Sequence, residues 1–109
     1  MAHRVISATD VEARHGRFRP LTEPLGVNTF RINQLEFPAG QGAPEHDHAG
    51  NGQEEVYAVI AGGGTLHAGG EEIPVRAGDF VYCSPGTRRQ MTAGPDGMTW
   101  IGIGSAVAG

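Results

Sequence analysis

The chain has 109 residues, a length that fits one domain around a single core and leaves no room for a second. Its net charge is −4, and its eight basic residues are arginines scattered along the chain except for the Arg88-Arg89 pair, which excludes the basic footprint of a nucleic-acid binder. Cys83 stands alone, so neither an intrachain disulfide nor a cysteine zinc finger can form, and no apolar run is long enough for a signal peptide or a membrane span; a soluble, cytoplasmic protein is expected.

In chain order, Thr9-Asp10-Val11-Glu12 has the form of a capping box and predicts a short helical turn before Gly16. Residues 27–37 alternate polar and apolar side chains up to Pro38-Ala39-Gly40 and predict one or two strands. Residues 56–60 form a β-rich run closed by Gly62-Gly63-Gly64. Residues 65–68 are then expected to pair with 72–75 across Gly69-Gly70 as a hairpin. Gly78-Asp79 turns the chain into a strand over 80–83, a short strand covers 89–93, Gly94-Pro95-Asp96-Gly97 reads as a turn, and 98–103 is the last strand. Eighteen glycines and seven prolines between short apolar runs suit an all-β antiparallel sandwich or barrel of the jelly-roll type, with little helix.

The densest chemistry lies in Pro44-Glu45-His46-Asp47-His48, followed by Gln53-Glu54-Glu55. On an extended segment His46 and His48 share a face and Asp47 takes the other, so two imidazoles converge through local geometry alone. Glu55, at the start of the next strand, supplies a third donor. Two histidines and a carboxylate suit non-haem iron, and zinc, manganese or nickel would also fit. Without a metal, the same histidines would simply hydrogen-bond at a polar mouth. Tyr57 shares the Glu55 face. Gln53 and Gln90 each offer an amide oxygen. Glu54 should face away, and His67 is expected to be exposed in its hairpin. Tyr82, Cys83, Met91, Met98 and Trp100 read as core or wall.

These residues resemble the two short motifs of the cupins, small β-barrel proteins whose motifs line the barrel mouth. Gly40, His46, His48, Glu55 and Gly62 match the first motif, with six residues between His48 and Glu55 where three or four are usual; the surplus falls in the glycine-rich loop 49–52. Gly78 and Gly86 match the second, but Ser84 stands at its proline and Arg89 at its metal-binding histidine. Arginine stays protonated and has no lone pair for a metal. The resemblance spans about residues 26–104. It implies a cupin jelly-roll barrel of two antiparallel sheets over 26–109, preceded by an N-terminal segment, 1–25, available as a dimer-forming arm. It further implies a divalent metal on His46, His48 and Glu55, with a small, anionic organic molecule as ligand for an oxygenase, isomerase or lyase type of reaction. Arg89, Tyr57 and Gln53 are the candidates to face that ligand. The other reading is a metal-free binding barrel in which Arg89 pairs with Glu55 and takes the place of the metal. A homodimer is implied by the resemblance, with no nucleic-acid or membrane partner.

Overall fold

The computed structural model describes residues 2–105; the last four residues of the expected barrel domain lie outside the described residues. Six strands and little helix make up the fold: β1 (Phe18–Pro20), β2 (Phe30–Phe37), β3 (Glu55–Ala68), β4 (Glu71–Arg76), β5 (Phe80–Cys83) and β6 (Arg89–Ser105), with one helical turn, α1 (Thr22–Leu25). All pairings are antiparallel, in the order β1-β2-β6-β3-β4, with β5 also on β3. Among the described residues the path does not close by hydrogen bonds between its outer strands.

The long β3–β6 ladder organises the barrel. Its register runs from Glu55↔Gly104 to Ala68↔Arg89, so Glu55 and Arg89 lie at opposite ends. In a flat sheet that separation would be about 40 Å, at about 3.3 Å per residue. The Arg89 guanidinium nevertheless bonds the Glu55 carboxylate. The ladder is therefore rolled until its ends meet. Register shifts at Val59/Ala61 and Gly62/Gly64 mark the bend. Glycine is required there, because a Cβ on Gly62 would lie 2.1 Å from the Gly97 carbonyl oxygen and one on Gly64 would lie 2.0 Å from that of Thr92.

This bend changes two expectations. Gly62-Gly63-Gly64 does not end a strand and Gly94-Pro95-Asp96-Gly97 is not a turn; both lie inside continuous strands that curve at close backbone contact. The expected hairpin does form: Ala68 pairs with Glu71 across Gly69 and Gly70, both at positive φ, as a two-residue turn of this kind needs. The strand over residues 80–83 is β5, and residues 27–37 give the single strand β2.

The capping box does not form. A 3₁₀ turn spans Ala8–Asp10 after Ser7, without a side-chain cap, and Val11 is already extended. Helix α1, which the sequence reading missed, ends at Gly26 in the left-handed conformation, and the Thr22 hydroxyl bonds the Ile32 main chain. Part of the N-terminal segment is committed to its own barrel, since β1 pairs with β2 and Arg19 bonds Glu36 at 2.7 Å.

Inside, Trp100, Met91, Met98 and Cys83 are the most deeply buried apolar side chains, and Phe37 stacks on Trp100 with ring centroids 5.2 Å apart. Tyr82 departs from its expected place in the core: β5 alternates, burying Val81 and Cys83 while Phe80 and Tyr82 face out. His67 is half-buried, with Nδ1 3.6 Å from Glu72.

Candidate metal centre

His46 and His48 lie between β2 and β3 on a segment that runs along β6, bonded to it at Gly40, Gln41, Ala43 and His46. Its main chain makes an isolated bridge at His46, with reciprocal bonds to Arg89 of 3.0 and 2.9 Å, and the His48 amide donates to the Pro85 carbonyl at 2.7 Å. Gly52, at positive φ, donates back to His48 and returns the chain towards β3. Alternation holds across the histidines: Asp47 points away from them, accepting from the Ala49 amide and lying 3.7 Å from Arg88. The rings of His46 and His48 meet edge to face, with centroids 5.1 Å apart.

Both Nε2 atoms lie 3.2 Å from Glu55 Oε1, and the three donor groups lie within 4.8 Å of one another. Adjacent donors around an ion with bonds of about 2.1 Å are separated by roughly 3.0–3.4 Å. The spacing fits. The His46, His48 and Glu55 group could hold a metal.

Arg89 completes the site from the inside. Its side chain is 0% exposed, and its guanidinium bonds Glu55 Oε1, the Tyr57 hydroxyl at 3.2 Å and the carbonyls of Thr87 and Ser84 at 2.8 and 3.4 Å. Tyr57 donates to the same carboxylate oxygen at 2.9 Å. A carboxylate offers about four lone-pair sites over its two oxygens, so the bonds from Arg89 and Tyr57 to Oε1 leave sites on Glu55 for an ion that the two facing imidazole nitrogens would share. Burial pushes the Glu55 carboxyl up, but hydrogen bonds from His46, Arg89 and Tyr57 outweigh it and hold it at about 2. The bond to Glu55 raises His46 above its ordinary value against the opposing effect of burial. Burial pushes the Tyr57 hydroxyl well up, so it stays a donor.

A cavity of about 150 Å³ opens beside this group, and His46, Glu55, Tyr57, Arg89 and Gln90 contribute to its wall. Gln53 is turned elsewhere: it is buried, donates to the Ser105 carbonyl at 2.8 Å and packs on Gly104. Gln90 donates to the Ala43 carbonyl at 3.0 Å, and Glu54 accepts from the exposed Tyr82 hydroxyl. Trp100 and Met91 also line the cavity, which alternation along β6 permits but which sequence spacing alone could not locate.

The comparisons agree with this architecture. The cupin domain profile matches residues 33–103. A cupin protein of Bacteroides fragilis superposes with a TM-score of 0.82 at 25% identity, over 96% of this chain and 85% of that one. A predicted oxalate decarboxylase of Thermotoga maritima superposes with a TM-score of 0.78 over 94% of this chain and 98% of that one; at 17% identity the likeness is one of fold. An oxalate-binding protein, also of Thermotoga maritima, is 30% identical over 53 residues, which are 49% of this chain and 42% of that protein, less than half its length. With the profile covering well over half of the sequence and the same barrel in its structural neighbours, the chain belongs to the cupin family.

Proposed function

We propose that this cupin binds a divalent metal through His46, His48 and Glu55 and acts on a small anionic organic molecule in the adjoining cavity. The observation that carries the reading is the convergence of two imidazole nitrogens on one carboxylate oxygen at 3.2 Å each. When bound, an ion there supplies Lewis acidity for an isomerase or lyase type of step, or oxygen activation if it is iron. Iron, manganese, zinc and nickel all suit the donor set. The match to an oxalate-binding protein supports an anionic ligand. Arg89 stands at the position of the family's third motif histidine, and we assign it to holding Glu55 instead of clamping substrate. Its nitrogens are already engaged with protein groups, and its side chain is closed to solvent. Tyr57 donates to the same carboxylate oxygen and is itself bonded by Arg89.

The buried Arg89–Glu55 pair also favours a second reading, a metal-free binding barrel in which the guanidinium replaces the ion. Metal analysis of untagged protein purified without chelator decides between them. Near-stoichiometric metal that disappears in His46→Ala, with the fold retained, supports the metal site. A metal-free protein that takes up none of the four ions on addition supports the second reading.

We further propose a homodimer, and the structure suggests a sheet face for it in place of the N-terminal arm. Cross-strand pairs Tyr82↔Val56↔Ile103↔Ile32 and Phe80↔Ala58↔Ile101 lay an uncharged apolar surface across the outside of the barrel. Phe80 is 76% and Tyr82 60% exposed. An isologous pair would cover this same face on both copies. No helix among the described residues is long and apolar enough to cross a membrane.

A further inference from the structure

In the last stretch of β6 the buried, inward positions are Met98, Trp100, Gly102 and Gly104. Two successive glycines there remove two side chains from the barrel interior, with different outcomes. The space at Gly104 is taken, since a Cβ would lie 2.8 Å from the Gln53 amide carbon. The space at Gly102 is open, since a Cβ would make only ordinary contacts, 3.6 Å to Leu35 and 3.7 Å to the Tyr57 ring. The φ of Gly102 is not positive, so backbone conformation does not demand glycine. A β-strand interior is otherwise better served by a branched side chain. Gly102 makes room: it lines the cavity beside the metal-ligand group, with Phe18, Leu35, Met91, Trp100 and Tyr57 as apolar walls.

We infer that this cavity is a subsite for a compact apolar group about the size of a benzene ring, and that the ligand is a small monocarboxylate carrying such a group. A cavity of about 150 Å³ with apolar walls is the size that holds one benzene molecule. The charges at its polar end, Arg89 and Glu55, are paired with each other, so the cavity itself calls for no second anionic group. A dianion without apolar surface, such as oxalate, would leave these walls uncovered. The carboxylate end of the inference rests on the metal reading above; the apolar end rests on Gly102 and the walls alone.

The test uses Trp100, the chain's one tryptophan and part of the cavity wall, as reporter. Zinc-loaded and chelator-treated protein are titrated with benzoate, acetate, oxalate and benzyl alcohol, following fluorescence and heat in parallel. The expected result is benzoate binding to the zinc form about tenfold or more tighter than acetate or oxalate, because only benzoate buries a ring. Benzyl alcohol should bind both forms alike. Gly102→Val should weaken benzoate and benzyl alcohol about tenfold while leaving zinc content unchanged, and Gly102→Ala should do so to a smaller degree. Oxalate or acetate matching benzoate, or wild-type ring binding in both Gly102 variants, overturns the subsite. If the protein takes up none of iron, manganese, zinc and nickel, the metal reading and the carboxylate end fail together. Benzyl alcohol binding to that protein still upholds the apolar subsite, and its absence overturns it.

Discussion

Replacing Glu55 by glutamine tests whether the Arg89–Glu55 pair holds the rolled ladder together. The amide keeps the shape and a neutral acceptor but removes the charge, leaving a guanidinium that is 0% exposed with only neutral partners: Tyr57, Ser84 and Thr87. The depression of the Glu55 carboxyl from 4.5 to about 2 corresponds to about 3 kcal/mol favouring the ionised form in the fold. That agrees in order with the ~3–5 kcal/mol lost when one member of a buried pair is removed. The side chain is 16% exposed, so little of this is screened by water. A depressed carboxyl contributes stability that is present above its unfolded value, 4.5, and is lost as pH falls towards about 2. Glu55→Gln, which mimics the protonated acid at every pH, should therefore lose about 3 kcal/mol at pH 7 and almost nothing at pH 2. Denaturant titrations of both proteins with chelator present measure this. In thermal melts the neutral-pH gap should be roughly 10–15 °C for a domain of this size. A gap below about 1 kcal/mol at pH 7, or one of equal size at pH 2, would refute the reasoning.

Arg89→His should raise zinc affinity at least about tenfold by chelator competition, because it replaces a fixed cation with a nitrogen donor beside Glu55; unchanged affinity would remove residue 89 from the site. Gly64→Ala should abolish folding or lower the melting temperature by more than 10 °C, about 2–3 kcal/mol or more, because its Cβ meets the Thr92 carbonyl oxygen at 2.0 Å. Gly102→Ala, with open space, should melt within a few degrees of wild type, and equal damage at both positions would contradict the bend geometry. Phe80→Asp should shift the mass in solution from dimer to monomer by light scattering, with the melting temperature of the monomer unchanged; a dimer that persists would place the interface elsewhere.

Much of the barrel was legible because its short strands obey a period of two. Residues 80–83 are strand β5 as read, and Gly69-Gly70 sets its hairpin because a two-residue turn needs positive φ at both positions. The errors share a cause. Glycine marks turns, but Gly62, Gly64 and Gly94 serve the close crossing of two bent strands, a demand that comes from residues about 30 positions away and leaves no local signature. Tyr82 was misplaced because aromatic character does not say which face of an edge strand is covered. At the site, His46 and His48 were readable from their i, i+2 spacing and Glu55 from strand register. The Gln53 amide was not, because its partners, Ser105 and Gly104, lie half the chain away. Nor could spacing show that Arg89 is closed to solvent, which depends on the ladder rolling over.

Arg89 tethers the two donor-bearing segments by independent means. Its main chain exchanges two hydrogen bonds with His46, while its side chain grips Glu55. Any amino acid except proline can make the first tether; only a cation of suitable reach can make the second. Substitutions at this one position therefore leave the main-chain tether to His46 in place while releasing Glu55, together with Tyr57 and the Ser84 and Thr87 carbonyls, so of the three metal-ligand side chains a series at residue 89 acts directly on Glu55.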